Sequence, residues 1–131
     1  MTDKSSILRA FNNHFFEFIE DVIIIFPENL AVQKSKISFD AIKRANPTAI
    51  IKAWYKFIYS PYNAVIEQGD ITFFYETDYA SDLSHLRNAD KIMSIIDSLK
   101  DPIKQMEPTN KEYTMKYIQN LSKLSVIYSQ I

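Results

Sequence analysis

The chain has 131 residues, 47% of them hydrophobic, with 15 basic against 16 acidic side chains and a formal net charge of −1. That length suits one domain with one core, and the charge balance gives no global electrostatic pull toward nucleic acid or an anionic membrane. Cysteine is absent and glycine occurs once, which excludes thiolate chemistry and Cys-ligated metals together with the glycine-rich phosphate loops and nucleophile elbows.

Helix one is predicted from about Ser6 to Phe26. Ile7, Phe11, Phe15, Phe18, Val22 and Ile25 step by three and four, the helical period and not the strand period of two. Phe16, Ile19 and Ile23 widen this stripe, so the helix is expected to be central, with Asn12, Asn13, Glu17, Glu20 and Asp21 opposite. Pro27 ends it, because the residue before a proline is pushed out of helical geometry. The longest wholly apolar run, Val22–Phe26, is five residues, against the roughly 20 a membrane-spanning helix needs. The opening MTDKSSILRA lacks the apolar run and cleavage site of a secretory signal, so an intracellular setting is expected.

Helix two is predicted over about Asn29 to Ala45, with Leu30, Ile37, Phe39, Ala41 and Ile42 among Lys34, Lys36, Lys43 and Arg44. Asn46–Pro47 has the form of a cap followed by a first-turn proline. It opens helix three, with Ile50, Ile51, Trp54, Phe57 and Ile58 on one face. Ser60–Pro61 repeats that signal and predicts a short fourth helix, which Gly69 should terminate in a left-handed conformation. The period of ITFFYETDYASDL is ambiguous between helix, turns and loop. Ile92, Ile95, Ile96, Leu99, Ile103 and Met106 form a further stripe that crosses Asp101–Pro102, where a kink or restart is expected. Thr109-Asn-Lys-Glu112 has the form of a capping box. The last helix is expected to bury Tyr113, Tyr117, Leu121, Leu124 and Tyr128. Together these predict an all-α fold: one compact, irregular helical domain over residues 1–131, with five to seven helices.

No motif assigns a catalytic residue, a cofactor or a metal. Asp78, Asp82 and His85 would share a helical face and could hold a divalent cation, but a solvated polar face explains them equally simply, and no fourth ligand stands nearby. His14 with Glu17 and Asp21 has the spacing of an imidazole bridging an apolar face to a carboxylate, which needs no catalytic duty. The aromatic run Phe73, Phe74, Tyr75 and Tyr79, with Tyr59 and Tyr62 upstream, exceeds what a small domain need bury and predicts a protein-binding or self-association surface. In KAWYKFIYSPY, Lys52, Lys56 and Tyr59 fall opposite the Trp54 face. Joined by Lys34, Lys36, Lys43 and Arg44 of helix two, they make an alternative nucleic-acid face.

The phrases FNNHFFEFIEDVIIIFPEN, KRANPTAIIKAWYKFI, EQGDITFFYETDYASDL and KYIQNLSKLSVIY resemble a group of small uncharacterised proteins of nucleocytoplasmic large DNA viruses, the giant viruses of algae and protists. The Ile/Lys/Asn/Tyr-rich composition is similar to theirs. The resemblance spans most of the chain, contains no catalytic or ligand motif, and implies expression in an infected host cell and packaging in the virion. The expected function is that of a non-enzymatic structural or interaction protein presenting an aromatic, lysine-rimmed surface to protein partners or to itself. A nucleic-acid-associated role is the alternative, and no membrane is expected as partner.

Overall fold

The computed structural model describes residues 3–76, 92 and 95–131. Among these every regular element is helical: α1 (Lys4–Ile25), α2 (Leu30–Ala45), α3 (Ala49–Ala53), a π-helical segment (Trp54–Tyr59), α4 (Ser60–Gln68), α5 (Thr72–Glu76), α6 (Lys100–Lys104) and α7 (Pro108–Gln130). The all-α expectation is met. None of these helices is long and apolar enough to cross a membrane.

α1 is the central helix, as its wide stripe predicts. Ile7, Phe11, Phe15, Phe18, Ile19 and Val22 are buried along it, and its most extensive partner is α7. The core around it is aromatic. Phe11 and Phe15 each meet the Trp54 ring edge-on at 6.2 Å, and Phe15 meets Phe39 of α2 at 4.8 Å. Edge-to-face pairs of this kind add to simple burial because positive ring edges meet negative faces. Asn12, expected on the solvent side, is instead buried. Its amide donates to the Pro47 carbonyl at 3.1 Å and ties α1 to the α2–α3 loop.

Helix ends follow local chemistry, with two departures from the expected caps. Asp3 and Asn29 cap α1 and α2 through side-chain oxygens that accept from Ser6 N, and from Ala31 N and Val32 N. Gly69, at φ +77, closes α4 in a Schellman turn: its N–H bonds Ile66 O, and Asp70 N–H bonds Val65 O. The Thr109 capping box does not form. α7 starts two residues earlier than the box requires, at Pro108, with Glu107 as N-cap. Proline suits a first helical position, since its φ is preset and it has no orphan N–H to satisfy.

A short helix does begin at Ser60–Pro61 and end at Gly69, as expected, but Ser60 does not cap it. The π-helical turn Trp54–Tyr59 runs straight into α4, and the Ser60 N–H bonds Tyr55 O five residues back. A proline inside a regular helix would press its ring on the carbonyl four residues earlier. The wider π turn relieves that contact, and the remaining distortion falls on Tyr62, at φ −123 and ψ 24. The restart expected near Asp101–Pro102 does occur: three-residue turns at Ser98 and Leu99 end one helical stretch, and α6 begins at Lys100.

Two predicted faces are rotated. On α2 the interior residues are Val32, Ser35 and Phe39, while Leu30 and Ile37 point outward, Ile37 at 71% exposure. On α7 the buried stripe is Thr114, Met115, Ile118, Leu121, Ser122, Ser125 and Tyr128, and Tyr113 is 60% exposed. Small hydroxyl residues take the inner positions because they satisfy themselves on their own helix. Ser35, Ser122 and Ser125 each donate to a carbonyl three or four residues back. The Trp54 Nε1–H then donates to Ser122 Oγ at 3.0 Å, within the core.

Candidate functional site

The expected aromatic interface does not exist as one surface. Phe73 (8% exposed) and Phe74 (0%) belong to the core, because α5 turns both rings inward against each other. Tyr62 is half-buried on the Phe73 ring, and Tyr75 lies beneath the Lys111 ammonium at 5.3 Å. Tyr79 lies outside the described residues, as do Asp78, Asp82 and His85. Among the described residues no three His, Asp or Glu side chains converge as metal ligands.

The expected basic face also divides. On α2, Lys36 pairs with Glu20 at 3.1 Å, Arg44 with Asp40 at 2.9 Å, and Lys43 sits over the Phe16 ring at 4.9 Å. Those cations are answered by their own neighbours. Lys34 is exposed on the same helix and has no ion pair among the described residues.

Lys52 and Lys56 are different. They line a cavity of about 440 Å³ between the start of α1, the α3–π-helix run and the end of α7. Lys4, Tyr55, Tyr128 and Ser129 complete most of its wall. Three lysines thus line one cavity, and no carboxylate stands among the described residues that line it. The Lys4 Nζ lies 4.8 Å over the Tyr128 ring, a cation–π contact that holds the charge at the mouth. Lys56 lies 5.4 Å from the Phe57 ring. Asp3 caps the α1 turn that carries Lys4, and the Ser6 N–H it accepts holds its carboxyl below the usual carboxylate range.

A second cavity, of about 450 Å³, is also lined by α7. Its walls are mostly apolar, with Tyr59, Ile66, Val126 and Ile127 prominent, and Glu67 and Lys123 at the edge. The Tyr59 hydroxyl donates to Glu67 at 3.3 Å; burial first, then that carboxylate, pushes its pKa up. Tyr55 and Tyr59 stack at 6.1 Å with 23° between their planes and form a partition between the two cavities. The π-helical segment supplies both rings. π turns recur at functional sites because they place side chains that a regular helix would not.

No protein-family model, curated protein or solved structure matches the chain.

The His14 constellation is a packing boundary. The His14 ring lies 4.7 Å from the Tyr117 ring, its Nδ1 is 3.6 Å from Glu17, and the Tyr117 hydroxyl donates to Asp21. Tyr117 is the member that sequence spacing could not supply, since it comes from α7. Lys4 and Tyr128 of the basic cavity were missed for the same reason: they lie at opposite ends of the chain and meet only through the fold. The one advance signal was the four-residue spacing of Lys52 and Lys56.

Proposed function

We propose that the protein is a non-enzymatic interaction protein that holds an anionic segment of a partner in the Lys4–Lys52–Lys56 cavity. The viral setting implied by the sequence resemblance belongs to this proposal, with a role in the virion or its assembly. The observation that carries the reading is local charge: three lysines line one cavity with no carboxylate among its described lining residues, in a chain whose overall charge is −1. A charge-focused cleft of this kind raises the local concentration of an anionic ligand. Tyr55 and Tyr128 add rings with polar tips, the side-chain type most used at interfaces.

The test is fluorescence anisotropy with labelled polyglutamate and a labelled single-stranded oligothymidylate at low salt, on wild type and on Lys52→Glu/Lys56→Glu. The reading expects a polyanion to bind wild type and to lose at least about tenfold in affinity on charge reversal. Binding of neither polyanion, or no effect of the reversal, defeats it. The viral part is checked separately, by mass spectrometry of purified particles, and is lost if the chain is absent from both particles and infected cells.

A further inference from the structure

We infer that the partner is a protein segment carrying an apolar anchor beside acidic residues, and that it occupies the two cavities flanking the Tyr55–Tyr59 stack together. This rests on the anion-binding reading above and names its ligand. The two cavities are neighbours along α7. Ser122 lines the apolar one and Ser125 the basic one, and the Ser125 hydroxyl donates to Ser122 O at 2.7 Å. Three helical residues correspond to roughly 4.5 Å along the axis. On this reading a leucine-sized side chain sits among Ile66, Val126 and Ile127, and the next carboxylates of the same segment pass the Tyr55–Tyr59 pair to meet Lys52 and Lys56. On a helical ligand this is an anchor with acidic residues three or four positions on. On an extended ligand it is two positions on, at roughly 3.3 Å per residue.

The same observations count against nucleic acid. The second cavity is mostly apolar and its two charges, Glu67 and Lys123, are of opposite sign, so it offers a phosphate backbone no net counter-charge. Base stacking needs open aromatic faces. Here Tyr55 and Tyr59 are half-buried beside one another, and the Tyr128 ring is 9% exposed with the Lys4 ammonium over it. A peptide uses both features instead: Ile127, 39% exposed, gains cover, and the lysines gain counter-charges.

The test is selection of a displayed library of random ten-residue peptides against the full chain, with labelled oligothymidylate as a parallel probe. Recovered peptides should pair Leu, Ile, Phe or Trp with Asp or Glu at the spacings above. Measured singly, they should lose at least about tenfold in affinity on Lys52→Glu/Lys56→Glu and at least about threefold on Ile127→Ser, with the thermal melts of the variants unchanged. If the lysine reversal matters but Ile127→Ser does not, or if oligothymidylate binds and acidic peptides do not, the peptide inference falls while the anion reading stands. If the recovered peptides lack acidic residues and the lysine reversal is silent, both fall. Should Ile127→Ser lower the melt, Lys123→Ala at the rim of the same cavity replaces it, with the same threefold loss expected.

Discussion

At the scale of single residues, the buried hydroxyls and the Tyr117 phenol bear the most weight. Ser122 accepts the Trp54 Nε1–H inside the core while donating to Ile118 O. Ser122→Ala removes that acceptor and leaves an indole N–H with no route to water. The expected loss is roughly 1–3 kcal/mol, the penalty for a buried unsatisfied donor. Urea denaturation of Ser122→Ala, Trp54→Phe and the double variant checks it: once the donor is gone, removing the acceptor should cost little more. Tyr117 makes the second case. Burial, then its bond to Asp21, pushes its pKa from 10.0 up to about 12. In the unfolded chain the phenol returns to its ordinary value and ionises earlier. Its stabilising contribution is therefore complete below pH 10 and is lost as pH rises through about 12. Urea midpoints should fall more steeply across that window in wild type than in Tyr117→Phe. Parallel curves would show that the phenol is not held as described. Neither feature was legible beforehand. Spacing marked Tyr117 as a core residue of its own helix, but it gave no sign that Asp21, 96 positions away, would accept its hydrogen bond.

At the scale of elements, sequence was most readable where one force dominated. The α1 stripe combines large aromatics with a strict helical period, so burial decided the face, and the Ile7-to-Val22 reading held. It failed where forces competed. On α7, tyrosine size suggested an inner face through Tyr113. The serines could enter the core at little polar cost because each bonds a nearby carbonyl, and the stripe rotated toward them. At Ser60–Pro61 the predicted helix start was right but the Ser60 cap was not: a π turn leads directly into α4, and the kink falls at Tyr62. The caps offer a direct comparison. Asn29 Oδ1 accepts from two orphan amides of α2, at 3.0 and 3.2 Å, whereas Thr109 lies inside the first turn that Pro108 begins. Asn29→Ala should therefore destabilise by about 1 kcal/mol, and Thr109→Ala should stay within about 0.5 kcal/mol of wild type, as an exposed change away from such features does. Thermal melts of the two variants decide this. Comparable losses would mean that the Thr109 hydroxyl caps α7 in solution after all.

At the scale of the whole molecule, the all-α architecture was predictable from glycine scarcity and helical periods, while the groove was not. Lys4, Lys52, Lys56 and Tyr128 converge from the start, middle and end of the chain. A linear reading marked Lys52 and Lys56 but joined them to cations of α2, where Glu20, Asp40 and the Phe16 ring already engage three. The near-neutral total charge then yields a prediction about kinetics. With a net charge of −1 the molecule has no long-range attraction for an acidic ligand, so steering comes only from the lysine cavity. Salt shortens the reach of that field from about 10 Å at 0.1 M to about 3 Å at 1 M. Rim charges act mainly on the association rate, while buried apolar contact acts mainly on dissociation. For an acidic–apolar peptide in the two cavities, the association rate should fall with salt and the dissociation rate should change far less. Lys52→Glu/Lys56→Glu should flatten or reverse the salt dependence of association. Ile127→Ser should keep that dependence and speed dissociation. Surface plasmon resonance over a salt series separates the two constants. An affinity that rises with salt in wild type would assign the binding to apolar contact alone and leave the three lysines without a part in it.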